Sequence, residues 1–302
     1  MTDVARDGGT PHPFYTEVPA SLNHEVGIGG ALITMVEPHP GHERAYNRWY
    51  EDDHFYAGAM CMPWMMAGRR FVATRDLQLL RHPEDSFIAQ PVTAGCYIHL
   101  YWITVGHVRD HEAWTQATNL QLTALGRRHE ERTHVFTEFP GYVGATYRDA
   151  EGPRDIHSLD YPYEGMVLEV VDAQPGTPRD ELDEWLAAEY VPSIQQRPGS
   201  TVSQSLRFVS RRPSDEGAAA GAAENNPPAP RVTAPQRGFA IPHPQRRVTV
   251  VHFLDRHPAD GWEEQFAGNG ERVAVSGLGR LELCAPFIPV VHGTDTYVDQ
   301  LR

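Results

Sequence analysis

The chain has 302 residues, of which 40% are hydrophobic and 22% charged, and it carries a formal net charge of −14. That length suits two domains of ordinary size or one large one. The acidic balance argues against nucleic acid or an anionic membrane surface as partner, since both need clustered Lys and Arg, and leaves a small molecule or another protein.

The longest apolar runs, 31–36 and 166–171, are strand-length and far too short to span a membrane. Cys61, Cys96 and Cys284 cannot all pair and match no zinc spacing. With no basic-then-apolar opening after Met1, the chain reads as a cytoplasmic protein with reduced thiols.

Residues 1–28 show little periodicity and read as an irregular arm. A strand follows at 31–36, punctuated by Pro38, Pro40 and Gly41, and a helix is predicted from 41 to about 57. On that helix Tyr46, Tyr50 and His54 fall four apart, with Trp49 and Asp53 on the adjoining row. A second strand spans 69–74 and an excursion 77–95. A third strand spans 96–104, whose alternation puts Tyr97, His99, Tyr101 and Ile103 on one face and Cys96, Ile98, Leu100 and Trp102 on the other. Asp110 is the expected N-cap of a second helix closed by Gly126, and 135–148 supplies a fourth strand.

The second half repeats this β-α-β-β-α-β order. A strand at 166–171 precedes a helix opened by Thr177-Pro178, and a strand at 202–210 precedes a Pro-, Ala- and Gly-rich excursion at 213–244. Next come a strand at 247–254, a helix near 261–274 and an extended segment at 281–291. Trp49 matches Trp185, Arg70-Phe71 matches Arg207-Phe208, and His99 is aligned with His252. The predicted fold is α+β: two tandem ferredoxin-like βαββαβ domains, at 29–150 and 163–302, forming a pseudo-dimeric α/β barrel.

The segment Asn47-Arg-Trp-Tyr-Glu-Asp-Asp-His54, followed by a proline and an Arg-Phe strand, resembles the dimeric α/β-barrel superfamily, in particular its EthD-like and polyketide-cyclase-like branches. The likeness is densest over 31–75. It implies sheets facing one another beneath their helices, here supplied by one chain, and leaves open whether that chain pairs further into a homodimer. Tyr190 stands where the first copy has His54, so one working pocket is expected, in the first half.

The chemistry expected from these residues is cofactor-independent general acid/base catalysis of a cyclase, isomerase or lyase type. Its substrate would be a hydrophobic, oxygenated, polyketide-like or cyclic molecule. His54 would move the proton, and His99 and Tyr50 would assist it. Tyr46, Trp49, Arg70, Tyr97, Tyr101, Met65, Tyr190 and His252 are the candidate substrate-binding residues. No metal site is expected: His39-Pro-Gly-His42 lies in a turn, and His129 and His134 are five apart, one too many for the helical zinc motif. Two alternatives stand beside this reading. One is a haem- or metal-dependent oxidoreductase ligated through His54, His99 or His252; the other is a non-catalytic small-molecule-binding or stress-response protein.

Overall fold

The structure is a computed structural model that describes residues 25–61, 64–211 and 243–302. Most of the expected arm at 1–28 and of the excursion at 213–244, together with Met62 and Pro63, lies outside the described residues.

The elements follow the expected order. Strand β1 (Ile28–Pro38) leads to helix α1 (Glu43–Trp49), which continues through π-helical turns at Tyr50–His54 and Tyr56–Met60. Then come β2 (Met65–Val72), the short α2 (Arg75–Leu79), β3 (Tyr97–Thr104), α3 (Val108–Ala124), β4 (Arg132–Glu138) and β5 (Gly141–Tyr147). The second half contributes β6 (Gly165–Ala173), α4 (Arg179–Trp185) with a π-helical turn at Leu186–Tyr190, α5 (Val191–Gln195), β7 (Val202–Val209), β8 (Arg247–Leu254), α6 (Asn269–Ser276) and β9 (Gly279–Pro289).

Three local expectations are corrected. The single strand expected at 135–148 is broken at Phe139-Pro140 into β4 and β5, because proline offers no N–H to the ladder. Helix α3 starts ahead of Asp110, whose carboxylate lies in the first turn and accepts a hydrogen bond from His107 Nδ1 at 2.9 Å. Thr177 does not cap α4; Pro178 occupies the cap position.

All pairings in the sheet are antiparallel, and the strands close into a ring: β1-β3-β2-β9-β6-β8-β7-β5 and back to β1. The last strand of each half crosses to the second strand of the other, β5 to β7 and β9 to β2. Strand β4 lies along β1 outside this ring.

Strand alternation divides the core in two. Met166, Leu168 and Val170 of β6 join Ile98, Leu100, Trp102, Phe208 and Phe253 inside the barrel, while Val167 and Val171 face α4 and its neighbours. Trp102 meets Phe208 across the interior at 5.3 Å between ring centroids, and its indole N–H donates to Ser158 at 2.8 Å. The pairing registers also separate two of the sequence matches. Arg70 lies opposite His99, whereas Arg207 lies opposite Val250 and Ser205 opposite His252. Matching the two Arg-Phe pairs therefore brings His99 level with Val250, not with His252.

Candidate functional site

The polar-aromatic face of β3 points outward, where α1 covers it. Tyr46, Tyr50, Tyr97, His99 and Tyr101 are all buried, so this face is a packed layer between helix and sheet and not an open wall. Each polar tip in such a layer needs a partner, because an unmet group away from water costs ~1–3 kcal/mol. Tyr46 Oη is 2.9 Å from His99 Nε2, and Tyr50 Oη is 2.8 Å from Tyr101 Oη. The Tyr50 ring lies on the His99 ring at 3.9 Å. Burial pushes the Tyr50 phenol up to about 12 and holds His99 well below its usual range, so both are neutral near pH 7.

Arg70 is fully buried beneath this layer, not an exposed strand residue. Its guanidinium pairs with Glu51, donates to Asn47 Oδ1 at 3.1 Å and lies over the Tyr50 and Tyr97 rings at 4.6 and 5.2 Å. Burial alone would raise the Glu51 carboxyl. The His292 imidazole 3.7 Å away, the Gly293 N–H that donates at 2.9 Å and the Arg70 charge together outweigh burial and hold it at about 2. Arg70 is thereby engaged through Nη1 in a buried ion pair, while its Nε and Nη2 have no partner.

His54 sits on a turn wound more widely than an α-helix. Helical periodicity sets it above Tyr50, but the π-helical turn carries it round so that it stacks on Trp49, five residues back. Their ring centroids are 4.2 Å apart, against 5.2 Å to Tyr50. The ring fills the space of an absent side chain: a β-carbon on Gly58 would come 2.4 Å from His54 Cε1. Its Nδ1 is buried and has no hydrogen-bond partner. Burial, reinforced by Arg132, Arg128 and Arg127, lowers its pKa to about 3. The general acid/base role expected of it is corrected on this ground, since an imidazole that titrates near 3 does not exchange protons usefully at neutral pH.

Three other expected residues lie elsewhere. Met65 opens β2 opposite Ile103. Met60 takes the nearer place: a β-carbon on Gly68 would come within 2.5 Å of Met60 Sδ and 2.6 Å of Tyr101 Cδ1. Tyr190 and His252 belong to a separate buried network centred on Glu169. There the Tyr190 hydroxyl donates to Glu169 at 3.0 Å, and His252 bridges Ser205 (2.8 Å) and Glu169 (3.0 Å).

Sequence reading missed the groups around His54. Arg132 lies 4.7 Å over the Trp49 ring, on the opposite end of a cluster that includes Arg128, His129 and His134. Burial and the nearby arginines hold His134 at about 3. The readable signal was period two in β4, which sends Arg132 and His134 to the same side.

Among the described residues no group of three or more His, Cys, Asp or Glu side chains could hold a metal ion. No described helix is long and apolar enough to cross a membrane.

The closed antiparallel ring with helices outside is a mixed α/β architecture of the dimeric α/β-barrel type. No family model matches the chain, and no curated protein matches it. Solved structures do. A candidate chlorite dismutase is 10% identical at a TM-score of 0.52, with 92% of this chain and 100% of that chain covered. An anthrone oxidase-like protein is 11% identical at 0.51, with 89% and 94% covered. A single-residue variant of DypB from Rhodococcus jostii RHA1, in complex with heme, is 10% identical at 0.48, with 93% and 98% covered.

At these identities the likeness establishes the fold and leaves the EthD-like branch unassigned. The expectation of a cofactor-independent cyclase, isomerase or lyase with no cofactor is nevertheless corrected. The two neighbours above a TM-score of 0.5 are named as a candidate chlorite dismutase and an anthrone oxidase-like protein, neither of them a cyclase, isomerase or lyase, and the residue on which the acid/base reading depended is held out of its titration range.

Proposed function

We propose that this chain is a haem-dependent oxidoreductase built from two fused barrel halves, with His54 as the iron ligand. The observation that carries the proposal is the state of that imidazole: neutral, buried, clamped between Trp49 and Gly58, and with Nδ1 bonded to nothing. An axial histidine has to present a free lone pair from a fixed ring. His99 also leaves its Nδ1 without a partner, but Tyr50 lies flat on its ring at 3.9 Å within the packed layer between α1 and β3. His252 does not fit, since both its nitrogens are engaged.

Bound haem supplies one-electron and oxygen-derived chemistry that no side chain here offers. The chain's own contribution is to hold the His54 ring still and to keep it unprotonated. Two neighbours with this fold are described as a candidate chlorite dismutase and an anthrone oxidase-like protein, which supports a redox reading over an isomerising one.

The two-copy organisation is supported by a matched pair of contacts. Trp185 meets Tyr190 at 5.3 Å across a π-helical turn, as Trp49 meets His54 across its own. With Tyr190 donating to Glu169, the second copy has no vacant imidazole at that place, and a single haem per chain is expected.

Haemin titration of the purified protein tests the reading. The expected result is a stoichiometric Soret band that shifts on reduction with dithionite and is lost in His54→Ala. Absence of a saturable Soret change in the wild type, or an unchanged one in His54→Ala, would overturn it.

A further inference from the structure

Among the described residues, several buried guanidinium groups have an obvious counter-charge or its equivalent. Arg70 pairs with Glu51, Arg247 with Asp172 at 3.0 Å and Arg207 with Asp183 at 2.8 Å. Arg81 donates to the carbonyls of Thr93, Ala94 and Gly95. Arg132 has neither. No described carboxylate pairs with it; its Nε points at His134 Nε2 at 3.4 Å, and its Nη1 is closed off from solvent with no partner.

The neighbouring groups share that condition. Arg128 Nε and His129 Nε2 are also buried and without partners. The acids close by are spoken for: Asp53 pairs with Arg127, and Glu131 with His39 at 3.0 Å. Glu130 approaches Arg128 Nε only to 4.0 Å, beyond hydrogen-bond range. A partly desolvated cation with unmet donors is costly unless an anion completes it.

We propose that Arg132, with Arg128 and His129, forms a receptor for the carboxylate of a small organic acid. Two arginines offer the charge and the fork geometry that carboxylates take up. The unpartnered Nε2 of His129 supplies a further polar contact. Trp49 cannot provide a stacking surface as well, because His54 covers one part of it and Arg132 another. Recognition is therefore directed at the charged group and tolerant of the rest of the molecule.

The site stands independently of the haem reading, and its test uses protein with no haem added. Benzoate is titrated calorimetrically into wild type, Arg132→Gln, Arg132→Lys and Arg127→Gln, with benzyl alcohol as the uncharged control and inorganic phosphate as a second oxyanion. Wild type is expected to bind benzoate and not benzyl alcohol. Arg132→Gln should weaken benzoate by about tenfold or more, the loss of a charge-assisted hydrogen bond. Arg132→Lys should recover part of the binding, and Arg127→Gln should leave it unchanged, since that guanidinium is already paired with Asp53. Melting temperatures of the variants separate a binding loss from unfolding. Equal affinity for benzoate and benzyl alcohol, binding of phosphate alone, or wild-type affinity in a folded Arg132→Gln would each overturn the proposal.

Discussion

Tyr50 and His99 lie almost face to face, their ring centroids 3.9 Å apart and their planes 14° from parallel. The stack joins α1 to the middle of β3, and the Tyr50 hydroxyl extends it to Tyr101 at 2.8 Å. Tyr50→Phe keeps the stack and removes that bond, leaving a buried hydroxyl on Tyr101. Urea denaturation should show a loss of ~1–3 kcal/mol. Tyr50→Ala removes the ring as well and should cost ~3–5 kcal/mol, as a large-to-small change in a packed core does. Equal stabilities for the two variants would mean that the stack contributes nothing.

The Arg70–Glu51 pair makes a different prediction, because breaking it is worse than removing it. Arg70→Met strands a buried carboxylate and should cost ~3–5 kcal/mol, while Arg70→Met with Glu51→Gln should recover much of that loss. The pair also contributes to acid sensitivity. The Glu51 carboxyl is held down at about 2 when folded, against 4.5 for its ordinary value. The unfolded chain therefore binds the extra proton as pH falls through that interval, and stability present above pH 4.5 is lost toward pH 2, by ~2 kcal/mol after solvent screening is allowed for. In Glu51→Gln that portion of the acid titration should disappear from a melting-temperature profile.

His111 gives a second, separate pH dependence. It is fully buried on α3, and burial alone lowers its pKa to about 4 from 6.5. Its unfolded form takes up a proton first, so the stability it allows is complete above pH 6.5 and is lost as pH falls toward 4. At pH 5 the loss should be ~2 kcal/mol, from 1.36 kcal/mol per unit. His111→Gln should flatten the profile between pH 6.5 and 4 without changing it between pH 7 and 9. An unchanged slope would mean that His111 is solvated.

Gly58 offers a test of the His54 clamp. Glycine to alanine within a helix ordinarily stabilises by ~0.5–1 kcal/mol. Here the added methyl would meet the imidazole at 2.4 Å, so Gly58→Ala is expected to expel the ring from its place on Trp49. Stability should fall and Trp49 fluorescence should change. A gain in stability with unaltered fluorescence would show that the ring has room to spare.

The strands were the most legible part of the fold. Residues 247–254 are read as a strand and form β8 as Arg247–Leu254, because β-branched and aromatic residues mark a ladder directly. The aromatic alternation of β3 is equally plain, yet alternation cannot say which face meets the barrel interior and which meets a helix. That depends on partners distant in the chain. A period of 3.6 brings Tyr50 and His54 to one row and gives no sign of the π-helical turn that delivers His54 to Trp49. Burial, too, is a tertiary fact. His54 as a letter promises a titrating base; His54 beneath Trp49 and among arginines is neutral near pH 7. The cluster around Arg132 was hidden for the same reason, since no spacing rule links a residue of β4 to one of α1.

Strand β4 is the one described strand with a hydrogen-bonded neighbour on a single side, β1. Every strand of the ring has a partner on both edges, through a single pair at the β1–β5 seam and two at the β2–β9 seam, and tilting one would break the ring. Tilting β4 would not. The segment that carries Arg132 and His134 is thus held through β1 alone, and a shift of it would leave the pairings of the ring unbroken. An addition on one edge of a closed ring is the place where a residue can change position without cost to the closure itself.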